Sequence, residues 1–300
     1  MRKRRSFYSR LSFEKKTSIW GVIFIAPWLI GFLSLFLWPI VQTVYYAFND
    51  LEIIPTGGIK LSFTGLKHLK HALFVDSTFN PELVKTLIEV FTLTPLIIIF
   101  SLLCAILLNG KFKGRALARA IFFIPIIMAT GLLLQRGSSL SGQITQGTSG
   151  NEGVLGLSLL TNVLQNLNVG KGLIDYIFNM INRIFEIVSL SGIQILIFLS
   201  ALQGISPSLY EVAKIEGATG YETFWKVTVV MVSPMILTNT VYTITDIFAK
   251  SSIMEITYNL AFAQSRYGLA SAMNSIFLVF NLLTIGLSLL VLRKVVFYND

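Results

Sequence analysis

The chain of 300 residues has one cysteine, two histidines and few charges: Asp, Glu, Lys and Arg together make up only 13% of it. A lone Cys104 excludes a disulfide within the chain and leaves the redox compartment undetermined. His68 and His71, three residues apart, could share a helical face as metal ligands, but no HExxH order accompanies them, and solvated surface positions are the simpler reading. The stretch "GLSLL" at Gly156 to Leu160 lacks the second glycine of a nucleophile elbow. "GKFKGR", from Gly110, lacks the GK[ST] ending of a phosphate-cradling loop, so this chain carries no sign of hydrolysing ATP itself. An intramembrane enzyme is therefore disfavoured, and no metal site is expected. Soluble domains carry about a quarter charged residues; this charge poverty and a mean hydropathy of +0.71 point to an all-α integral membrane protein.

What is present is apolar sequence in long runs. A helix needs about 20 apolar residues to cross roughly 30 Å of hydrocarbon, and six spans are expected: Ile19 to Val44, Leu83 to Leu108, Ala116 to Gln135, about Ile187 to Ile205, about Val227 to Ala249, and about Met273 to Val296. Prolines 27, 39, 95, 125 and 234 lie in or beside them, where neighbouring helices can satisfy the backbone groups that proline frees. The basic opening "MRKRR" precedes a run too long for a cleaved signal, so residues 1–18 read as a basic cytoplasmic terminus and 19–300 as a transmembrane domain.

Basic residues set the orientation. With both termini in the cytoplasm, seven Lys and Arg precede the first span, four lie at Lys111, Lys113, Arg115 and Arg119, two at Lys214 and Lys226, and two at Arg293 and Lys294. Those fifteen of 24 fall on the shorter connections, as the positive-inside rule requires. The net charge of +9 has the same origin, namely anionic headgroups rather than nucleic acid. Two longer connections, Asn49 to Glu82 and Arg136 to Glu186, then lie outside. In the second, a polar Gly/Ser/Thr/Gln stretch gives way to helical periodicity from Gly172 to Val188, with Ile174, Ile177, Phe178 and Ile181 opposed by Asp175, Asn179, Asn182 and Arg183: an amphipathic helix on the outer surface.

The segment "QGISPSLYEVAKIEGATGYETFWKV", within a loop of 206–226 between spans four and five, is conspicuously polar. Ser208 with Glu211 predicts a capping box and a helix start at Ser208. Leu209, Val212 and Ala213 fall on one face beside Glu211 and Lys214; Gly217 offers a left-handed stop. Thr219 with Glu222 repeats the capping pattern and opens a second helix into span five. Such a bent pair is either a well-capped connector or a ridge that a cytoplasmic protein receives in a groove.

The segment resembles the EAA loop of permease subunits of binding-protein-dependent ABC importers: Glu-Ala-Ala, three residues, Gly, nine residues, then Ile-x-Leu-Pro. Glu211, Ala213 and Gly217 match in register, and Val227 and Val229 are suitably apolar; Val212 replaces an alanine and Val230 the proline, with Pro234 four residues on. "APWLIGFLSLFLWPIVQTVYYAFND", "FTGLKHLKHAL", "LLCAILLNGKFKGRALARAIFFIPII" and "GIQILIFLSALQGISPSLYEVAKIEGA" are similar to the carbohydrate importers' larger maltose-type and glycerol-3-phosphate-type permeases. The resemblance implies the six-helix type I importer fold, a heterodimer with a second related permease, two cytoplasmic ATPase subunits that bind the ATP and Mg, no cofactor in this chain, an external solute-binding protein, and a carbohydrate substrate. It gives Glu211, Ala213 and Gly217, with Lys214 beside them, the role of contacting the ATPase.

Polar residues within the spans are candidates for a substrate path: Asn239, Tyr242, Thr243 and Asp246 form a stripe on span five, Asn274 and Asn281 lie a heptad apart on span six, and Gln194 is on span four. Amides and hydroxyls suit a neutral sugar, and interhelical hydrogen bonding explains them equally well. The rival class is an ion-coupled secondary transporter, which should show ionisable residues at the midplane and broken helices in repeated halves. Only Glu89 and Asp246 approach the span interiors.

Overall fold

A computed structural model describes residues 13–53, 58–110, 113–114, 180–181, 183–184 and 186–293. They divide between two compact units, one drawn from Met1–Val84 and Ser251–Phe280, the other from Lys85–Lys250 and Asn281–Asp300.

In the first unit α1 (Phe13–Gly31) passes through a π turn (Phe32–Leu37) into α2 (Trp38–Ala47). Trp20–Ala47 is a rod of 28 residues, longer than the bilayer's hydrocarbon at about 1.5 Å per residue. Trp28, Phe32 and Phe36 stack down one side at 5.4 and 5.2 Å, and Trp28 is 67% exposed, as lipid rather than water permits. The hydroxyls of Ser34 and Thr43 donate to the carbonyls of Ile30 and Pro39 four residues back, which hides them from hydrocarbon. Beyond Ala47 the chain forms an antiparallel hairpin, β1 (Asn49–Ile53) and β2 (Ile59–Phe63), in register from Asn49 opposite Phe63 to Ile53 opposite Ile59. This hairpin departs from the all-helical expectation. α3 (Lys67–Phe74) follows, and an Asp76 carboxylate oxygen accepting from the N–H groups of Thr78 and Phe79 at 2.9 Å each starts α4 (Phe79–Asn109).

The second unit is built round α4, α5 (Gly192–Gly204), α6 (Pro207–Ile215) and a long helix, whose first turn α7 (Gly220–Thr223) passes through a π turn (Phe224–Thr228) into α8 (Val229–Lys250). Cys104, Ala105, Leu108, Ile195, Phe198 and Val232 form its apolar core, so the lone cysteine is a packing residue. The connection after α8 is helical: α9 (Ser252–Tyr258) and a π turn (Asn259–Ala263) lead to α10 (Tyr267–Leu292).

Four helices among the described residues are long and apolar enough to cross a membrane: Trp20–Ala47, Phe79–Asn109, Gly220–Lys250 and Tyr267–Leu292. The expected third span, with Pro125, lies outside the described residues, as do most of the amphipathic segment at 172–188 and the basic residues before position 13. The fourth expected span is shorter than its sequence suggested: residues 186–190 are helical, Ser191 interrupts, and α5 has 13 residues. α5 and α6 meet at 64°, so the described spans number four, or five if that bent pair is one span. These helices make a multi-pass membrane protein.

Candidate functional site

The polar loop between α5 and α8 is a built structure. Ser206 is extended (ψ 130°) and Pro207 takes the first helical position, where its missing N–H costs nothing. This corrects the expected capping box. With the helix starting at Pro207, Ser208 is already inside it, its hydroxyl paired with that of Ser206 at 2.8 Å, and no side chain caps the start. Glu211 lies a full turn in, exposed and without a partner among the described residues.

The faces of α6 also differ from the expected ones. Ala213 is buried and Tyr210 half-buried against the bundle, whereas Leu209, Val212 and Ile215 are exposed beside Glu211 and Lys214. The periodicity was right; the buried stripe is one position round, because Tyr210 rather than Leu209 packs on the core. The Tyr210 hydroxyl lies 3.2 Å from that of Thr228, which ties α6 to the π turn.

Gly217 closes α6 as expected. Its φ is +77°, and the Gly217 and Ala218 N–H groups donate to the carbonyls of Lys214 (3.1 Å) and Ala213 (2.9 Å), the paired bonds of a Schellman stop. The second capping box is present in full: the Glu222 N–H donates to the Thr219 hydroxyl at 3.3 Å, and the Thr219 N–H to the Glu222 carboxylate at 3.0 Å. An exposed Lys226–Glu222 pair at 3.4 Å adds little. Pro234 sits inside α8 without ending it. The carbonyl its ring leaves unbonded is that of Val230, which accepts from the Ser233 hydroxyl at 2.7 Å. The position where this chain lacks the EAA pattern's proline is thus stitched by the serine beside the displaced one.

Of the candidate path residues, three come together. Gln194 Nε2 donates to the Thr243 hydroxyl at 3.0 Å, Thr243 donates to the Asn239 carbonyl at 2.7 Å, and Asn239 Nδ2 donates to the Gln194 carbonyl at 3.3 Å. All three side chains are fully buried, and they join α5 to α8. Gln194 Oε1 and Asn239 Oδ1 accept nothing among the described residues. Tyr242 and Asp246 are half-buried, and Asp246 pairs with Lys250 at 2.8 Å near the helix end. Asn281 is half-buried in the same unit, and Asn274 belongs to the other. A separate cavity of about 410 Å³ between α4, α8 and α10 has Val90, Ile98, Ile244, Leu287 and Val291 among its walls; such walls offer a sugar few partners.

Sequence reasoning missed the Tyr210–Thr228 link, whose partners are 18 residues apart with no periodic signal. It also set His68 and His71 aside as solvated, although one ring nitrogen of each is buried with no partner among the described residues.

No family model matches the chain. It is 30% identical over 248 residues to the arabinooligosaccharides transport system permease protein AraP of Bacillus subtilis, covering 81% of this chain and 71% of that one. It is 27% identical over 269 residues to the multiple sugar-binding transport system permease protein MsmF of Streptococcus mutans, covering 84% and 88%. In fold it resembles a chain from the crystal structure of a bacterial alginate ABC transporter in complex with an alginate pentasaccharide-bound periplasmic protein, with a TM-score of 0.62 at 17% identity over 97% of this chain and 100% of that one. These likenesses extend over most of the chain, and it belongs to the permease proteins of ABC sugar transport systems.

Proposed function

We propose that the chain is one membrane half of an ATP-driven importer of oligosaccharide or a related polar carbohydrate, and that α6 is the element on which a cytoplasmic ATPase acts. The observation that carries this reading is the geometry of α6. A nine-residue helix turns 64° from α5, is locked by a glycine stop and a capping box, and leaves Glu211, Lys214, Leu209 and Val212 exposed. Exposed acid and base beside apolar side chains, on a helix held rigidly to the membrane domain, suit a groove on another protein. A rigid helix converts motion of that protein into rotation of the spans it is tied to.

In this reading residues 1–18 and both termini are cytoplasmic, 19–300 form the transmembrane domain, and 206–226 is the coupling loop with Glu211, Ala213, Lys214 and Gly217 at its centre. Ala213 and Gly217 set the helix in place, and Glu211 and Lys214 face the partner. A second related permease completes the path, two ATPase subunits bind ATP and Mg, a solute-binding protein delivers substrate outside, and this chain carries no cofactor. The orphaned oxygens of Gln194, Asn239 and Asn281 are the first places to look for sugar hydroxyls, with Tyr242, Asp246 and Asn274 next. Asp246 is paired with Lys250 near a helix end rather than standing alone at a midplane, which weighs against an ion-coupled mechanism.

The test is uptake by the assembled transporter in liposomes. Glu211→Gln removes a charge and no capping bond, so it should leave insertion and fold intact and lower ATP-driven uptake at least tenfold, as expected of a lost interfacial charge contact worth about 2 kcal/mol or more. Wild-type uptake by that variant, or uptake driven by an ion gradient without ATP, would defeat the reading.

A further inference from the structure

Between β1, α3 and the start of α10, the first unit has a cavity of about 250 Å³ that the transport reading leaves unused. Asp50, Lys67, His68, His71, Ser265 and Arg266 line it, drawn from β1, from α3 and from the two residues preceding α10. Two features show that it is built to shape. Ser265 holds a left-handed backbone, φ 55°, and the Arg266 N–H donates to the Leu260 carbonyl at 2.9 Å, which turns both residues back. Gly268 packs so closely that a Cβ there would stand 2.5 Å from the Asn49 carbonyl oxygen and 2.8 Å from His68 Nε2.

The wall is rich in donors and short of acceptors. His68 Nε2 and His71 Nδ1 are buried without a partner among the described residues, and the one carboxylate, an Asp50 oxygen, is 3.9 Å from His68 Nε2, beyond a hydrogen bond. Burial pushes the His68 pKa down, aided by Lys67, His71 and Arg266, with Asp50 alone opposing, so His68 is neutral at pH 7. The fixed charges are then two cations, Lys67 and Arg266, against one anion. A metal ion is disfavoured beside those cations, and no metal-ligating cluster occurs among the described residues.

We propose that this cavity binds a phosphate group, whose several oxygens can take the imidazole, ammonium, guanidinium and Ser265 hydroxyl donors together. Height in the membrane favours a lipid headgroup as its source. Asp50 lies three residues past the end of the Trp20–Ala47 rod, and Arg266 immediately precedes the Tyr267–Leu292 rod, so the cavity sits at the level of the headgroups, the layer that carries the lipids' phosphates. The site depends on neither the sugar nor the ATPase.

The experiment is native mass spectrometry of the full chain released from nanodiscs containing phosphatidylglycerol, with diacylglycerol of the same chains as the phosphate-free control. Wild type should retain phosphatidylglycerol selectively, and Lys67→Gln or Arg266→Gln should each lower that retention about fivefold. Lys70→Gln, an exposed lysine on α3 outside the cavity, should lower it less than twofold. Displacement of the lipid by millimolar inorganic phosphate, dependent on the same two residues, supports the site with free phosphate as an alternative source. Retention unchanged in both cavity variants, or lowered equally by Lys70→Gln, would overturn the proposal. Both substituted side chains are on exposed residues, and either single variant suffices if the other fails to insert.

Discussion

Replacing Gly217 by alanine tests whether the stop of α6 works through backbone conformation. A Cβ at this position would meet nothing within 4 Å, so no steric contact enters, and the whole effect comes from φ at +77°. An L-residue in that left-handed region costs about 1–2 kcal/mol. The loss of glycine's freedom in the unfolded chain returns about 0.4–1 kcal/mol. The net is roughly 1 kcal/mol against the closed turn, a fivefold change in its opening equilibrium. That is less than the two hydrogen bonds the turn retains, at about 1 kcal/mol each, so Gly217→Ala should stay folded with a looser stop. The direct assay is hydrogen exchange at the Ala218 amide, which donates to Ala213 across the turn and should exchange about fivefold faster, with a partial loss of ATP-driven uptake. Gly217→Asn should stay within about twofold of wild type, because asparagine tolerates the left-handed region. Unchanged exchange in Gly217→Ala, or a Gly217→Asn variant as defective as the alanine one, would refute the argument; the latter would mean that the missing side chain, not the backbone, is what matters.

Two further substitutions probe the first unit. Gly268→Ala must push the hairpin away from α10, since its Cβ would lie 2.5 Å from a backbone oxygen; a loss of about 1–3 kcal/mol should appear as a lowered thermal midpoint in detergent. At Asp76, burial pushes the carboxyl upward, but the Phe79 N–H and the Thr78 hydroxyl and N–H outweigh it and hold the pKa below the usual 3.8. Its contribution is therefore present in full above that value and is lost as pH falls through the lowered one. Protection of the Thr78 and Phe79 amides, taken against the intrinsic exchange rate at each pH, should fall below about pH 4 in wild type. Asp76→Ala should leave both amides weakly protected at every pH, with a cost of about 1 kcal/mol.

What the sequence made legible follows from which interactions are local. Gly217 and the Thr219–Glu222 box were readable because their partners are three to five residues away and the residue types are specific to the geometry. The same rule misplaced the start of α6: Ser208 and Glu211 have the right spacing, but Pro207 already occupies the first helical position and moves the cap to Ser206. The long apolar runs at 19–44 and 83–108 became helices, whereas the shorter run before position 205 broke at Ser191, where composition alone cannot register a bend. Helical spacing showed that α6 is two-sided and could not say that Tyr210 would be drawn inward, since its anchor, Thr228, is set by the tertiary fold. For the polar stripe, spacing put Asn239 and Thr243 on one face, and only the structure supplied Gln194 as their partner on α5. The histidine pair was visible throughout; its burial was not, because Gly268 and Asn49, which enclose His68, come from distant parts of the chain.

The claim that α6 docks on an ATPase is tested most directly by proximity. In a Cys104→Ala chain assembled with its partner subunits, a benzophenone maleimide attached at Val212→Cys, a half-exposed position on the outer face of α6, should cross-link to the ATPase subunit on illumination and block ATP-driven uptake. The same label at Met254→Cys, exposed on α9, which follows the far end of the Gly220–Lys250 helix, should not reach that subunit. An assembled transporter that hydrolyses ATP normally while its label at Val212→Cys yields no ATPase adduct would contradict the account.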